Sequence, residues 1–142
     1  MKILLVTSDF PYAQIKHGGG QLTFNWVKHL SHSHELYLLS FVRPEEGTYL
    51  PAMKKYFREI RTVPAYRGWL SRLRRFPLLL TQPYPVVATF SAKISEELRE
   101  MIFRHQIDLV QFEYFHMGQY LKRVPEGVPK VLVLHDVVST VL

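Results

Sequence analysis

The residue types best suited to chemistry in this chain fall at or near the ends of predicted strands. They are the glycine run Gly18, Gly19 and Gly20, the acid Glu113, and the adjacent pair His135 and Asp136. A histidine at a strand end can donate to a sugar hydroxyl or a phosphate, or exchange a proton near neutral pH. A carboxylate such as Glu113 can bind hydroxyls or act as a base. Structural roles stay open for both, namely a backbone hydrogen bond for the histidine and an ion pair with Lys or Arg for the acid.

The glycine run directly precedes a predicted helix, at the end of a loop that begins at Asp9. Glycines allow a close approach of the backbone, and the free N–H groups at a helix start bind anions such as phosphate. The run is neither Gly-x-Gly-x-x-Gly nor a P-loop, because no Gly-Lys-Ser/Thr follows it. Contact with a diphosphate or a sugar is therefore the functional interpretation, and a plain flexible turn is the alternative.

Several kinds of catalytic and metal site are excluded or disfavoured by the residue content. The chain has no cysteine, which excludes disulfides, thiolate metal sites and cysteine nucleophiles. His29, His32 and His34 straddle a predicted helix end and a strand start, whereas a metal site needs ligands that converge from rigid elements. No Gly-x-Ser-x-Gly sequence supports a Ser-His-Asp triad. We therefore expect no metal and no bound cofactor.

The elements that must position these residues alternate between strand and helix. Strands are predicted at 2–7, 35–42, 60–63, 107–112 and 130–134, and helices at 21–32, 50–57, 67–80, 91–106 and 115–121. Residues 82–85 contain two prolines and are predicted to be irregular. The alternation predicts an α/β fold, a Rossmann-like open parallel sheet with helices on both faces. In such sheets ligands bind at the carboxyl ends of the strands.

Positive charge is concentrated in one segment of the chain. The formal net charge is +6, yet residues 54–75 alone hold eight basic residues against one acid. The basic residues of this segment, with its tryptophan, are Lys54, Lys55, Arg58, Arg61, Arg67, Trp69, Arg72, Arg74 and Arg75. Basic residues interleaved with aromatic and leucine side chains suit attachment to an anionic membrane surface. A solvated helix face is the alternative, and nucleic-acid binding is disfavoured because no recognition motif accompanies the charge.

The length and hydropathy describe one globular domain of 142 residues with 47% hydrophobic residues. The apolar run at the N-terminus is too short for a signal peptide, and no window approaches 18 apolar residues. We therefore expect a cytoplasmic location. No helix is predicted after the fifth strand, and the chain is interpreted as an incomplete doubly wound domain.

In its ordered set of motifs the chain resembles the N-terminal domain of a GT-B glycosyltransferase of family 4. The residues that carry the resemblance are Ile3-Leu4-Leu5-Val6-Thr7, Phe10-Pro11, Gly18-Gly19-Gly20, Lys28-His29-Leu30-Ser31, His34-Glu35-Leu36-Tyr37-Leu38-Leu39, Ile107-Asp108-Leu109-Val110-Gln111 and Leu134-His135-Asp136. They occur in family order over nearly the whole of residues 1–142.

The resemblance implies a retaining, metal-free transfer of a sugar from a nucleotide-sugar donor to a glycan or lipid-linked acceptor, as in polysaccharide biosynthesis. It implies that Gly18, Gly19 and Gly20 touch the donor diphosphate and that His135 contacts the transferred sugar as the catalytic-site histidine. Glu113, Asp136 and Asp9 are then the acceptor-side candidates. It also favours a peripheral location on the inner face of the membrane.

Two departures from the family pattern lead to further expectations. The donor-binding domain with its Glu-x7-Glu motif is absent from these residues, so the chain alone is expected to be inactive. The ending at 135–142 leaves an edge of the sheet that is expected to favour self-association. The alternative function is a non-catalytic domain that binds an anionic membrane or a polyanion through residues 54–75. A nicotinamide-dependent oxidoreductase is disfavoured, because the second strand ends without the acid that would hold a ribose.

Overall fold

The strands form one parallel sheet in the computed structural model of the chain, which describes residues 1–65 and 82–135. They are β1 (Lys2–Thr7), β2 (Glu35–Val42), β3 (Glu59–Pro64), β4 (Leu109–Glu113) and β5 (Lys130–Val133). Their order across the sheet is β3-β2-β1-β4-β5, and every neighbouring pair is parallel. The predicted α/β class with an open parallel sheet is therefore confirmed.

The helices of the described residues lie between the strands in the chain. They are α1 (Gly18–Leu30), α2 (Leu50–Met53), α3 (Tyr84–Ala88) and α4 (Ala92–His105), with 3₁₀ helices at Pro44–Tyr49 and Phe115–Arg123. The predicted helix at 67–80 lies outside the described residues. The predicted helix at 50–57 is shorter than expected and ends at Met53, where turn residues lead into β3.

Helices cover both faces of the sheet, because successive strand residues point to opposite sides. On one face Leu4 and Val6 pack with Leu98 of α4 in a fully buried cluster. On the other face Ile3 and Leu5 pack with residues of α1, α2 and the loop after β1. Strands that are apolar on both faces are typical of a parallel sheet buried between two helix layers.

Two local expectations are wrong, and both concern how helices begin. Gly18, Gly19 and Gly20 are not a loop before the helix but the first turn of α1, which His17 caps by accepting a hydrogen bond from the Gly20 N–H on its Nδ1. Residues 82–85 are not wholly irregular, because α3 begins at Tyr84. Proline is tolerated in the first turn of a helix, where its missing N–H would have no helical partner.

The strand order reverses direction at β1, which pairs with β2 on one side and with β4 on the other. The connections from β1 and from β4 therefore leave the sheet in opposite directions. In open α/β sheets ligands usually bind at such a topological switch point, which here lies at the carboxyl ends of β1 and β4. Glu113 is the last residue of β4 and pairs with Thr7, the last residue of β1.

Candidate functional site at the carboxyl edge of the sheet

A buried glutamate–histidine pair lies at the switch point. The Oε2 atom of Glu113 is 2.6 Å from Nε2 of His135, just beyond the end of β5, and the two side chains are 0% and 4% exposed. A carboxylate that accepts from Nε2–H fixes the ring orientation and leaves Nδ1 as the other functional nitrogen. His135 is thus held by a side chain, and within residues 1–65 and 82–135 no backbone group forms a hydrogen bond with its ring.

Neutral groups complete the surroundings of the Glu113 carboxylate. Gln111 Nε2 donates to Oε1 at 2.6 Å, and Thr23 Oγ1 of α1 lies 3.3 Å from Oε2. The Thr23 hydroxyl has one proton and is also 2.9 Å from the Gly19 carbonyl oxygen, so it donates to one acceptor at a time. Among the described residues no Lys or Arg pairs with Glu113. The alternative of an ion pair between Glu113 and a Lys or Arg is therefore not seen among the described residues, where Glu113 pairs with His135.

The first turn of α1 begins beside this pair. The Gly20 N–H is used by His17 Nδ1 and the Gln21 N–H by the His17 carbonyl oxygen. No hydrogen bond within residues 1–65 and 82–135 uses the N–H of Gly18 or Gly19. The first turn contains no acidic residue that would compete for the positive end of the helix dipole. This helix start can therefore receive an anionic group.

Gly19 lies where α1 comes close to the pair. A Cβ atom at this position would lie 3.0 Å from Cε1 of Tyr114 and 3.3 Å from Cγ of His135. A Cβ atom on Gly18 would meet nothing within 4 Å. The two adjacent glycines therefore differ, because an added side chain would meet Tyr114 and His135 at Gly19 and nothing at Gly18.

Tyr114 is the residue that links the glycine turn to the histidines. Its φ of 75° and ψ of 143° lie outside the regions that L residues ordinarily adopt. This backbone places its ring 4.5 Å from the ring of His135 and 5.6 Å from that of His116, with the latter pair stacked. Strained backbone at a ligand crevice is a feature of functional sites, so Tyr114 belongs to the candidate site.

Asp9 follows β1 and takes part in a second polar chain at the same edge. Its Oδ2 atom accepts from the Ser8 hydroxyl at 3.1 Å, and its Oδ1 atom is 3.1 Å from Nη2 of Arg43. The Ser8 hydroxyl in turn lies 2.8 Å from Nε2 of His116. Burial lowers the pKa of His116 against the opposing effect of the Asp9 charge, so the ring is neutral at pH 7. Because the serine proton goes to Asp9, Nε2–H of His116 is the donor to Ser8.

The remaining residues predicted from the sequence fall into three groups: those outside the described residues, those exposed to solvent, and one that is ion-paired. Asp136, Arg67, Trp69, Arg72, Arg74 and Arg75 lie outside the described residues. Lys54, Lys55 and Arg58 are exposed. Arg61 is bound by Glu59, Glu97 and Glu100 between β3 and α4, so its charge is locally compensated. Of the proposed membrane segment, the described part therefore presents three exposed cations.

Sequence reasoning missed Thr23, Gln111 and His116 as members of the site. Two signals were available. Gln111 stands two residues before Glu113 and so shares its strand face, and Thr23 stands four residues after Gly19 and so shares its helix face. Tyr114 was indicated by its place directly after Glu113 at a strand end, but the orientation of its ring depends on an unusual φ. His116 had no signal, because its position in the 3₁₀ helix at Phe115–Arg123 is set by tertiary packing.

Within residues 1–65 and 82–135 no three His, Asp or Glu side chains converge as metal ligands would. In the same residues no helix has the length and apolar content needed to cross a bilayer.

Comparison with solved structures finds a similar fold in a C-terminal domain of the PF1911 hydrogenase from Pyrococcus furiosus. The TM-score is 0.55 at 16% sequence identity, and the match covers 95% of this chain and 91% of that one. No protein-family model and no curated protein sequence matches the chain. At this identity the likeness shows the fold alone: this chain has the open α/β sheet that the hydrogenase domain has.

Proposed function

We propose that this chain is the acceptor-side domain of a retaining glycosyltransferase that uses a nucleotide-sugar donor. The observation that carries the proposal is the buried Glu113–His135 pair at the switch point, in contact with the first turn of α1. A sugar nucleotide combines a diphosphate with hydroxyl groups. The available N–H groups of Gly18 and Gly19 suit the diphosphate, and an imidazole fixed by a carboxylate suits a hydroxyl.

The reaction breaks the bond between the anomeric carbon and the diphosphate oxygen and forms a bond to an acceptor hydroxyl oxygen. The acceptor proton ends on the released nucleotide diphosphate, so the transfer needs no oxidant or reductant. In this proposal His135 orients the transferred sugar, and Glu113 positions His135. The first turn of α1 stabilises the negative charge that develops on the leaving group.

The test is transfer activity in the complete enzyme, meaning this chain together with a donor-binding domain. We expect His135→Ala to lower kcat by about 100-fold, as expected when an oriented catalytic-site group is removed. His105→Ala is the matched control. The Nε2 atom of His105 lies 2.7 Å from Oε2 of Glu59 in a similar pair, but that pair is not at the switch point. Unchanged turnover in the His135 variant, or an equal loss in the control, would overturn the assignment.

Peripheral attachment at the inner face of the membrane is part of the same proposal, since a lipid-linked acceptor would be presented there. It is supported by the exposed cations Lys54, Lys55 and Arg58 in the described part of segment 54–75. Co-sedimentation with anionic vesicles should weaken as salt is raised. Arg72→Glu with Arg74→Glu should abolish it, whereas equal binding to neutral vesicles would contradict it.

A further inference from the structure

A second concave site lies on the face of the sheet that α1 covers. It is a cavity of about 240 Å³ lined mainly by the loop after β1, α1, α2 and the turn that follows α2. The side chains that shape its chemistry are Tyr12, Gln14, Phe24, Tyr49, Lys55 and Tyr56. The volume is below the roughly 300–1,000 Å³ of pockets for drug-sized ligands, so it suits a single ring.

The aromatic walls of this cavity are fixed in pairs. The rings of Tyr12 and Tyr49 stack at 4.3 Å with an interplanar angle of 9°, and those of Phe24 and Tyr56 meet edge-on at 5.8 Å. A ring that packs against another ring keeps its orientation, so the face that is not in that contact is a rigid surface. The C–H groups of a pyranose ring carry partial positive charge and pack against the negative face of an aromatic ring.

Hydrogen-bonding groups at the cavity are not used within the described protein. Among residues 1–65 and 82–135, the hydroxyls of Tyr12 and Tyr49, the Gln14 amide and the Lys55 ammonium form no hydrogen bond or ion pair. Such groups are available to a ligand rich in hydroxyls. A cavity that combines aromatic surface with several unused polar groups favours a saccharide over a purely apolar molecule.

Positive charge lies on one side of the cavity, at Lys55. Lys55 Nζ lies 4.9 Å from the centroid of the Tyr56 ring and has no carboxylate partner in the described residues. Near Tyr12, Arg43 is shared between the carboxylates of Glu46 at 3.3 Å and Asp9 at 3.1 Å, so that end of the cavity keeps acidic character. An anionic group on the ligand would therefore be directed to Lys55, with the hydroxyl-bearing ring towards Tyr12 and Gln14.

From these observations we infer that the cavity binds an acidic sugar residue, a hexuronate unit of a glycan. The carboxylate pairs with Lys55, and the pyranose ring packs on the tyrosine surface. The inference deepens the proposed function, on which it rests for its biological meaning, because the hexuronate would belong to the acceptor glycan. A hexuronate and a neutral hexose differ by one charge, so recognition by Lys55 would select the acceptor.

The test compares methyl β-glucuronide with methyl β-glucoside, two rings that differ in their carboxylate and hydroxymethyl groups. Binding to the 142-residue chain is measured by protein amide chemical shifts, without any nucleotide sugar. We expect millimolar binding, about fivefold tighter for the glucuronide, the preference that one partly exposed charge-assisted hydrogen bond supplies. Equal affinity for the two sugars, or no binding of either, overturns the inference.

Matched variants locate the effect. Lys55→Gln should remove the preference and leave glucoside binding unchanged, whereas Lys54→Gln, an exposed neighbour outside the cavity lining, should change neither. Tyr49→Ala should weaken both sugars, because it removes ring surface. An equal loss in the Lys54 variant would show a non-specific charge effect and overturn the inference.

Two other ligand classes are outcomes of the same experiment. Uridine monophosphate that binds the cavity with higher affinity than the glucuronide would assign the cavity to a nucleotide. Phosphatidylglycerol vesicles that displace the glucuronide from the cavity would assign it to a membrane surface. Either result overturns the hexuronate inference. Because no donor is present, loss of sugar binding leaves the His135 activity test standing, and a failed activity test leaves the binding result standing.

Discussion

Two glutamate–histidine pairs in this molecule have nearly the same geometry and very different surroundings. Glu59 and His105 lie 2.7 Å apart with side chains 29% and 20% exposed, whereas Glu113 and His135 lie 2.6 Å apart and are almost fully buried. The first pair belongs to a β3–α4 network centred on Arg61, which also binds Glu97 and Glu100. The second is surrounded by neutral donors and the first turn of α1.

The difference teaches how a structural ion pair is distinguished from a candidate site. In the β3–α4 network burial raises the pKa of Glu59, but the hydrogen bonds and charges of Arg61 and His105 together lower it below its usual value. Charge is therefore compensated locally, and water has access. At the carboxyl edge no described Lys or Arg compensates Glu113. A buried carboxylate held only by neutral donors and a histidine is costly for stability, which favours a functional reason for its presence.

The largest expected effect is on stability at the carboxyl edge. Glu113→Ala should lower the free energy of unfolding by about 3 kcal/mol, because it leaves buried polar groups of Gln111 and His135 without an acceptor. Glu59→Ala is the matched substitution and should cost about 1 kcal/mol, since its pair is partly solvated. Urea unfolding measures both. A cost for Glu59→Ala that equals or exceeds the other would break the comparison.

The next effect concerns the centre of the β3–α4 network. Arg61→Met should lower the free energy of unfolding by about 2 kcal/mol, because it takes the guanidinium away from the partly buried carboxylates of Glu59 and Glu97. Glu59 then keeps only its contact with His105, and Glu97 its contact with the exposed Lys93, among the described residues. Arg104→Met is the control, because Arg104 pairs on the surface of α4 with Glu100 alone and should change little. Equal losses of unfolding free energy in the Arg61 and Arg104 variants would mean that Arg61 contributes no more than a surface charge.

Much of the fold could be predicted from the sequence because hydrophobic pattern determines it. β1 and β2 are continuous apolar runs, and their observed bounds match the predicted residues. α4 carries its buried Ile94, Leu98 and Ile102 at helical spacing, with Ser91 as a standard N-cap. The start of α1 was missed because three glycines suggest a loop, and because the cap is the imidazole of His17, an unusual capping group.

The candidate site could be predicted only in part, because strand ends are visible in a sequence and tertiary contacts are not. Glu113 and His135 were chosen for their place after strands, yet nothing in the sequence indicates that they pair across 22 residues. The distinction between Gly18 and Gly19 depends on where the Tyr114 ring lies. That orientation follows from a positive φ, which a pattern of residue types does not encode.

A third prediction uses acid to test the β3–α4 network. Hydrogen bonds from Lys93 and Arg61 lower the pKa of Glu97 despite its partial burial, and the pKa of Glu59 is lowered as well. A carboxylate with a depressed folded-state pKa contributes stability above its unfolded pKa of about 4.3 and loses it as the pH falls further. The melting temperature should therefore drop below about pH 4.3, and Arg61→Met should flatten that drop. An unchanged slope would contradict the role given to Arg61.

A fourth, smaller effect separates His116 from the exposed histidines. Burial lowers its pKa, so its neutral form contributes stability near pH 7 that is lost as the pH falls below the unfolded value of about 6.5. His116→Gln should reduce the loss of melting temperature between about pH 7.5 and pH 5.5. His29→Gln, at an exposed position of α1, should not. The same pH dependence in both variants would remove His116 from the polar chain with Ser8 and Asp9.

The smallest effect on stability, and the sharpest test of the carboxyl edge, comes from the two adjacent glycines. Gly18→Ala meets open space in the first turn of α1 and should stabilise the chain by about 0.5 kcal/mol through its better helix propensity. Gly19→Ala places its methyl group against Tyr114 and His135, so this gain should vanish. The affinity for uridine diphosphate, measured by titration of the chain, should fall about tenfold in the Gly19 variant as the displaced rings disturb the diphosphate position. If both variants bind uridine diphosphate equally, the contact between α1 and the buried pair has no part in recognising a donor.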